Sequence, residues 1–386
     1  MLSFMVRRLL VAIPILLVAS MLVFLLVANA GDPLENLRTQ KNAPQLVAQK
    51  TKQLNLDRSV PVRYGIWAKG FITGNLGKNA QGVDVKPLLL RAMRTTLRLV
   101  LAATILSMIV GLAVGVISAV RQYSGFDYGA TFLAFLFYAM PVFWFAVLLK
   151  EFGAIRLNNW LQHPGISKVG VVVITLVILA IGLFIANLGE RRSRGRSWAG
   201  AGIGLVAGLL VALGAQNFLH GRQFARWIST VGPETPDFKG SFLARLGDYA
   251  GRMILPTVTL AAISFATYSR YQRASMLDTL SSDYVRTARS KGIRERRVIM
   301  RHAFRTALIP VATLAALDFA FVMAGAIITE SVFAWKGMGS LFLTGLKDVD
   351  PNTVMAFLMV TAILVVVFNI IADIAYAYLD PRIRLD

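Results

Sequence analysis

Long apolar runs separated by shorter polar segments make up most of this chain. Eight runs of roughly 17–25 apolar residues are each long enough to cross a hydrocarbon core of about 30 Å as a helix. They lie at about Leu9–Ala28, Leu99–Val120, Tyr128–Leu149, Val169–Gly189, Trp198–Leu219, Met253–Ser269, Leu308–Thr329 and Val354–Tyr378. A soluble core does not bury eight such helices. The pattern therefore predicts an all-α polytopic membrane protein with about eight transmembrane helices.

The first run also fits a cleaved secretory signal. Arg7 and Arg8 precede it, and Ala28-Asn29-Ala30 resembles a small-residue cleavage site. Its apolar stretch of about 20 residues is longer than the usual 7–15 residues of a signal peptide. We therefore favour an uncleaved first helix, with the signal peptide as the alternative.

The composition agrees with a membrane location. Of the residues, 56% are hydrophobic and 16% are charged, whereas soluble domains average about 45–50% and about 25%. The absence of cysteine excludes disulfide bridges and thiolate metal sites. The net charge of +21 would also suit a nucleic-acid-binding protein. The positions of the basic residues along the chain decide whether the charge indicates nucleic acid or membrane orientation.

Those positions indicate how the helices are oriented. With the N-terminus in the cytoplasm, the cytoplasmic segments contain 19 of the 41 Lys and Arg residues. Another 12 lie in residues 30–98, and segments of that length obey the positive-inside rule poorly. A short basic turn at Glu190–Arg196 is the clearest marker. We predict that both termini are cytoplasmic and that the charge sets orientation, with no nucleic-acid partner.

Two polar segments are longer than simple connections. Residues 30–98 contain one helix-like stretch, Pro44–Asn55, and otherwise resemble loops. They form either a surface cap or a docking face for an external partner. Residues 270–307 contain ten basic residues and predict a short helix, capped by Ser281 or Ser282 and ended by Gly292, then a second helix. Attraction to anionic lipid explains the charge but not the capped helix.

Catalytic motifs are missing from the sequence. His163, His220 and His302 lie in three different segments with no metal-binding or carboxylate pattern around them. The nearest approach to a phosphate-binding loop, Gly77-Lys78-Asn79, lacks the Ser or Thr that follows the lysine. We therefore expect no enzymatic activity, no metal site and no bound cofactor in this chain.

The segment from Asp283 to Gly292, followed by Arg296-Arg297 and Leu308-Ile309-Pro310, resembles the EAA loop of ABC-importer permeases, closest to the dipeptide/oligopeptide (DppB/OppB-like) branch. Three other blocks resemble the same branch in order: the opening helix ending in Gly31-Asp32-Pro33, the external motifs Leu54–Arg58 and Gly74–Gly77, and the last loop and tail, Glu330–Trp335, Gly337–Gly339 and Leu379–Arg384.

The chain also departs from that family. It has Arg286-Thr287-Ala288 where the general motif has Glu-Ala-Ala, and eight predicted spans where a typical member has six. We assign the surplus to a helical hairpin inserted at about 165–220 into a six-helix type I permease core. The expected divisions are an N-terminal helix and extracytoplasmic segment, 1–94, and a transmembrane domain, 95–386, with its coupling loop at about 276–305.

The resemblance implies a permease subunit of an ATP-driven importer in the bacterial inner membrane, forming half of a pore for di- or oligopeptides. Its expected partners are a second permease, two ATPase subunits that bind ATP and Mg²⁺, an external solute-binding protein, and membrane lipid. Nickel complexes, glutathione-like compounds or oligosaccharides are alternative cargoes. A secondary transporter is the alternative class, which would need ion-binding acids at midplane.

Site residues follow from this resemblance. Tyr284, Val285, Ala288 and Gly292 are expected to dock into an ATPase groove, with Asp283, Arg286 and Arg289 as charged neighbours. Asp318 lies deep in a span, where an acid faces either a wet pathway and cargo or a structural partner. Glu330 and Trp335 are candidates for contact with the binding protein, although Trp335 also suits an interfacial anchor.

Overall fold

The computed structural model describes residues 2–38, 42–186, 194–219, 228–229, 231–233, 235 and 240–379. These residues form helices and turns, with one isolated bridge between Lys78 and Asp84. The α-helices are α1 Leu2–Asn29, α2 Glu35–Arg38, α3 Ala43–Leu54, α4 Val60–Thr73, α5 Val85–Val120, α6 Gly125–Ala139, α7 Val142–Lys150, α8 Leu157–Gln162, α9 Lys168–Ala186, α10 Arg194–Leu219, α11 Phe242–Leu280, α12 Asp283–Ser290, α13 Glu295–Arg297, α14 Phe304–Val332, α15 Met338–Lys347 and α16 Pro351–Leu379.

Several of these helices are long and apolar enough to cross a membrane. Among the described residues there are five: Leu10–Asn29, Val85–Val120, Gly202–Leu219, Phe242–Leu280 and Pro351–Ile371. The broken helix that begins at Gly125 adds a sixth if its two parts count as one span. The remaining predicted runs fall on α9 and α14, parts of whose side chains lie outside the described residues. The prediction of a polytopic all-α membrane protein is confirmed, and the count of eight spans stays a prediction.

The break between α6 and α7 lies at Met140 and Pro141. A proline inside a long apolar run, here with Phe143 and Trp144 after it, predicts a kink at this point. Met140 has extended backbone angles, φ −84° and ψ 125°. A proline disfavours the helical conformation of the residue before it, because its ring collides with that residue's backbone. Pro141 therefore ends α6 instead of bending a continuous helix.

Most of the chain folds as one compact unit made of residues 1–149 and 231–386. Its centre is the pairing of α5 with α11, in which Gly111 and Gly115 face Tyr268 and Gln272. A Cβ at either glycine would lie 2.7 Å from the Cβ of the facing residue, closer than two carbon atoms normally approach. The two glycines therefore allow the backbones of α5 and α11 to come close together.

The first helix, α1, packs against α16 and α4. Leucines along its other faces, such as Leu10, Leu17 and Leu26, are more than half exposed. Exposed leucines over most of a 28-residue helix are unsuited to water but suit hydrocarbon. The surface of α1 is therefore that of a lipid-facing transmembrane helix.

The second compact unit covers residues 150–230. Within it, α9 and α10 pack closely, because a Cβ at Gly204 would lie 2.9 Å from the Cα of Leu179 and one at Gly208 would lie 2.8 Å from the Cα of Thr175. The sequence predicts close helix packing at the small residues Gly200, Gly202, Gly204 and Gly208. Gly204 and Gly208 have that role, whereas Gly202 has no atom within 4 Å of its Cβ position. Gly200 is not among the residues whose side-chain environment is described.

The segment 30–98 is more helical than the sequence predicts. The expected helix at Pro44–Asn55 is present as α3, but residues interpreted as loop form the 14-residue α4. Ser59 has extended backbone angles before α4, Pro61 occupies the first turn, and Gly74 ends the helix at φ +76°. These are ordinary helix-boundary signals. The loop prediction was wrong because it followed the frequency of proline and glycine instead of their positions.

Candidate functional site

The segment between α11 and α14 forms the structure that we call the α12 hairpin, residues 281–303. It consists of α12, a turn at Gly292, α13 and a π-helical turn at Val298–Ala303. This agrees with the predicted short helix, glycine turn and second helix. Ser282 has the backbone angles of an N-cap, but its hydroxyl donates to the carbonyl of Thr279 at 2.5 Å and accepts no N–H of α12. The residue predicted to cap the helix is thus correct and the predicted hydrogen bond is wrong.

One face of α12 belongs to the core of the chain itself. Val285 is 0% exposed and Ala288 is 6% exposed. Both belong to one buried cluster with small and apolar residues of α5, α11, α14 and the π-helical turn: Ala119, Met276, Val298, Ala303 and Ala307. The prediction that Val285 and Ala288 dock into a partner is therefore wrong. They fix α12 to the transmembrane helices, and only the opposite face of α12 remains for a partner.

That opposite face carries the charged residues and one aromatic ring. Tyr284 is 46% exposed, and its hydroxyl lies 3.5 Å from the carbonyl of His302. Asp283 is almost wholly exposed and Arg286 is largely exposed, with Nη1 of Arg286 3.7 Å from Oδ1 of Asp283. An aromatic side chain with flanking charges, held on a helix that its other face anchors, is a suitable surface for binding another protein.

Arg289 closes the hairpin through an ion pair. Its guanidinium donates to the carboxylate of Glu295 across the Gly292 turn, with Nη2 2.8 Å from Oε1. The hydrogen bond from Arg289 holds the pKa of Glu295 below its ordinary value, and the same bond raises the pKa of Arg289. Arg289 therefore contributes to the shape of the turn, a role that the sequence did not assign to it.

Gly292 is needed for its backbone angle and not for space. Its φ is +70°, and its Cβ position has no atom within 4 Å. Its N–H donates to the carbonyl of Arg289 at 2.9 Å, and the N–H of Ile293 donates to that of Ala288 at 3.4 Å. Left-handed backbone with these two bonds is the usual way in which a glycine ends a helix, as the sequence predicts.

A buried ion pair joins the base of the hairpin to the turn between α5 and α6. Arg273 on α11 donates to both oxygens of Asp127, with Nε–Oδ1 2.7 Å and Nη2–Oδ2 2.8 Å. Asp127 is 2% exposed, and its Oδ2 also accepts the N–H of Tyr123 at 3.0 Å. Sequence reasoning missed this pair because its members are 146 residues apart; the one available signal is an acid in the first turn after the N-cap Ser124.

Asp318 is half-buried and has partners within the chain. The hydroxyl of Tyr268 on α11 donates to its Oδ2 at 2.9 Å, and the side chain of Ser264, one turn earlier, also hydrogen-bonds to it. The carboxylate thus connects α14 to α11. This geometry matches the structural one of the two roles considered from the sequence.

Glu330 and Trp335 are both buried, at 0% and 1% exposure. The carboxylate of Glu330 accepts the hydroxyl of Thr96 on α5 and the N–H of Ser340 on α15, the latter at 3.0 Å. The chain turns back at Ala334, φ +53°, which brings Trp335 against the ring of Tyr249. In this conformation neither side chain can contact a binding protein, so that prediction is wrong. The alternative prediction, that Trp335 is an interfacial anchor, is wrong for the same reason.

Gly337 shows why this loop needs a glycine beside the carboxylate. A Cβ at Gly337 would overlap the carboxyl group of Glu330 and the hydroxyl of Thr96. The same hydroxyl accepts the N–H of Met338 at 2.7 Å. Glu330, Thr96 and the loop from Gly337 to Ser340 thus form one closed polar cluster.

Lipid-exposed apolar helices, the glycine-packed α5–α11 pair and the anchored α12 hairpin together define a polytopic membrane permease. Two family models match the chain: the inner membrane component of binding-protein-dependent transport systems over residues 204–385, and the N-terminal part of such membrane components over residues 1–113. The chain belongs to this family of binding-protein-dependent transport system inner membrane components. It is a multi-pass protein of the bacterial inner membrane and a transport subunit, not a catalytic one.

Similar proteins match over their full length. The oligopeptide transport system permease protein OppB of Mycobacterium tuberculosis (strain H37Rv) is 32% identical over 387 residues, covering 100% of both chains. The oligopeptide transport system permease protein AppB of Bacillus subtilis is 31% identical, also over 100% of both. The di/tripeptide transport system permease protein DppB of Pseudomonas aeruginosa is 31% identical over 100% of this chain and 99% of its own.

Proposed function

We propose that this chain forms half of the translocation pore of an ATP-driven importer for di- or oligopeptides. The full-length similarity to permeases named for peptide transport supports this cargo. The observation that carries the mechanism is the α12 hairpin, whose inner face is buried in the transmembrane core and whose outer face is exposed. Such a helix moves with the transmembrane helices when a partner pushes it.

The same proposal includes the partners and the topology. A second permease completes the pore, two ATPase subunits bind ATP and Mg²⁺ beneath it, and a solute-binding protein delivers cargo from outside. Both termini are cytoplasmic, with eight spans in total. The separate compact unit at residues 150–230 supports a hairpin inserted at about 165–220. The expected boundary between 1–94 and 95–386 has no such support, because it falls inside α5, Val85–Val120.

In this mechanism each residue of the hairpin has a distinct part. Tyr284, Asp283 and Arg286 contact the ATPase, because they are exposed on the first turn of α12. Val285 and Ala288 hold α12 against α11 and α14. Arg289 and Gly292 shape the turn, so that a displacement of α12 reaches α14 without being absorbed by a loose loop.

Reconstitution tests this function directly. The chain is inserted into proteoliposomes with its partner permease and ATPase pair, and uptake of a labelled tripeptide is measured with and without the binding protein. We expect uptake to require both ATP and the binding protein, and to stop when an ATPase subunit without hydrolytic activity is used. Uptake by the permeases alone, driven by an ion gradient, would show instead a secondary transporter.

We expect Asp318→Asn to leave the KM for peptide unchanged, because asparagine keeps an acceptor for Tyr268. Asp318→Leu should lower stability by about 1–3 kcal/mol, since it leaves the hydroxyls of Tyr268 and Ser264 without this acceptor. Uptake kinetics measure the first effect and thermal unfolding in detergent the second. Tyr268→Phe is the matched control, which removes the same bond from the other side. A severalfold rise in KM for Asp318→Asn would show that the charge meets the cargo.

A further inference from the structure

A cavity between α3, α4 and the first turn of α16 is not used by the proposed transport mechanism. It encloses about 230 Å³. Its walls combine aromatic and apolar side chains with polar ones, among them Phe24, Trp67, Gln53, Arg63 and Asn352. The volume is sufficient for a small polar group but not for a long chain.

Two hydrogen-bond donors in this wall have no acceptor. The Nε atom of Arg63 and the Nε2 atom of Gln53 are both buried, and neither meets an acceptor among the described residues. No described carboxylate pairs with Arg63, and burial lowers the pKa of its guanidinium without an opposing charge. A buried donor without an acceptor is costly. Both residues line the cavity, so an oxygen acceptor there would satisfy these two donors.

Other polar groups around the cavity are already occupied. Asp350 caps α16 by accepting the N–H groups of Asn352 and Thr353 at 3.1 and 3.3 Å. Asn352 donates its side-chain amide to the carbonyl of Lys78 at 2.9 Å. The start of α16 and its carboxylate cap are thus already engaged with other groups. An oxygen of a ligand in the cavity can serve as the acceptor for Arg63 and Gln53.

The position of the cavity indicates the source of that ligand. Phe24, in the last turns of the apolar helix α1, lies with Tyr64 and Trp67 in an aromatic cluster whose ring centroids are 5.5–6.1 Å apart. Aromatic clusters near the end of a transmembrane helix mark the headgroup level of the bilayer. Leu17 and Met21, which lie within about 60° of Phe24 around α1, are exposed, so acyl chains can lie along them.

We propose that this cavity binds the phosphate headgroup of an anionic membrane lipid, with Arg63 and Gln53 as the donors. An arginine matches the geometry of a phosphate with paired, charge-assisted hydrogen bonds. The polar part of the lipid fills the cavity and its chains follow the exposed face of α1. A bound lipid would thus fix α4 against α1 and α16.

Native mass spectrometry of the purified full-length chain tests this site. Phosphatidylglycerol and phosphatidylcholine are titrated separately, and soluble glycerol 3-phosphate is added as a competitor. We expect phosphatidylglycerol to bind more tightly than phosphatidylcholine, and Arg63→Gln to weaken it about tenfold or more, because hydrogen bonds to charged groups are the strong ones. Gln53→Met should give a smaller loss.

Arg58→Gln is the matched control, since Arg58 is an exposed arginine five positions earlier and the charge change is the same. It should leave lipid binding unchanged. Thermal unfolding without added lipid checks that Arg63→Gln still folds. Equal loss in both arginine variants would show general charge attraction and overturn the site. So would unchanged binding in Arg63→Gln, no preference for phosphatidylglycerol, or displacement by glycerol 3-phosphate, which would identify a soluble ligand.

Discussion

Replacing Arg273 by methionine should destabilise the permease by about 3 kcal/mol, at the lower end of what breaking a buried ion pair costs. The substitution leaves the carboxylate of Asp127 buried with the N–H of Tyr123 as its remaining donor. Because Arg273 is itself 29% exposed, water reaches part of the pair and moderates the loss. Thermal unfolding of the detergent-purified chain measures the effect.

The control for this prediction is Arg121→Met. Arg121 is an exposed arginine at the end of α5, near the same turn, and its loss should leave the unfolding temperature unchanged. The double variant Asp127→Asn with Arg273→Met removes both charges together, so it should recover part of the lost stability. If Arg273→Met were as stable as the Arg121→Met control, the pair would not hold α11 to the α5–α6 turn.

The ion pair also has a consequence for the proposed coupling. It fixes the end of α11 from which the α12 hairpin begins, while the cluster around Val285 fixes the hairpin itself. A force on Tyr284 and Arg286 is therefore passed to α11, α14 and the α5–α6 turn together. The pair is a positioning feature, and its residues need no contact with cargo or ATPase.

What the sequence predicted well are features specified locally. The turn at Gly292 and the break at Pro141 each depend on one residue and its neighbours, and long apolar runs are a direct consequence of bilayer thickness. The boundaries of α12 follow from the same local signals, a serine before it and a glycine after it.

What the sequence did not predict depends on distant partners. Glu330 and Thr96 are 234 residues apart, and no local pattern distinguishes a buried glutamate at a helix end from an exposed one. Val285 and Ala288 were assigned to a partner because the segment resembles the EAA loop. Ala119, which covers them from α5, is too far along the chain to be recognised from a local pattern. The α4 helix was missed because the prolines and glycines of residues 30–98 were interpreted as loop signals, although Pro61 lies in the first turn of α4 and Gly74 at its end.

Gly292→Val should separate ATP hydrolysis from peptide uptake in reconstituted importer. Valine in left-handed backbone costs about 1–2 kcal/mol or more, and its β-branch adds to the strain. The equilibrium constant for forming the native turn would then fall about tenfold, so uptake should fall by up to that factor. Hydrolysis should persist, because in the proposed mechanism the nucleotide sites lie in the partner subunits. Both rates are measured on the same proteoliposomes.

Gly292→Asn gives this experiment its matched control. Asparagine adopts left-handed backbone more readily than other residues with a side chain, and the Cβ position of Gly292 has no atom within 4 Å, so nothing obstructs the new group. Uptake should therefore stay close to that of the unmodified chain. If both variants lost uptake equally, space at the ATPase surface and not the backbone angle would explain the loss. Normal peptide uptake by Gly292→Val would contradict the prediction. It would show that coupling of ATP hydrolysis to uptake does not require the left-handed turn at residue 292.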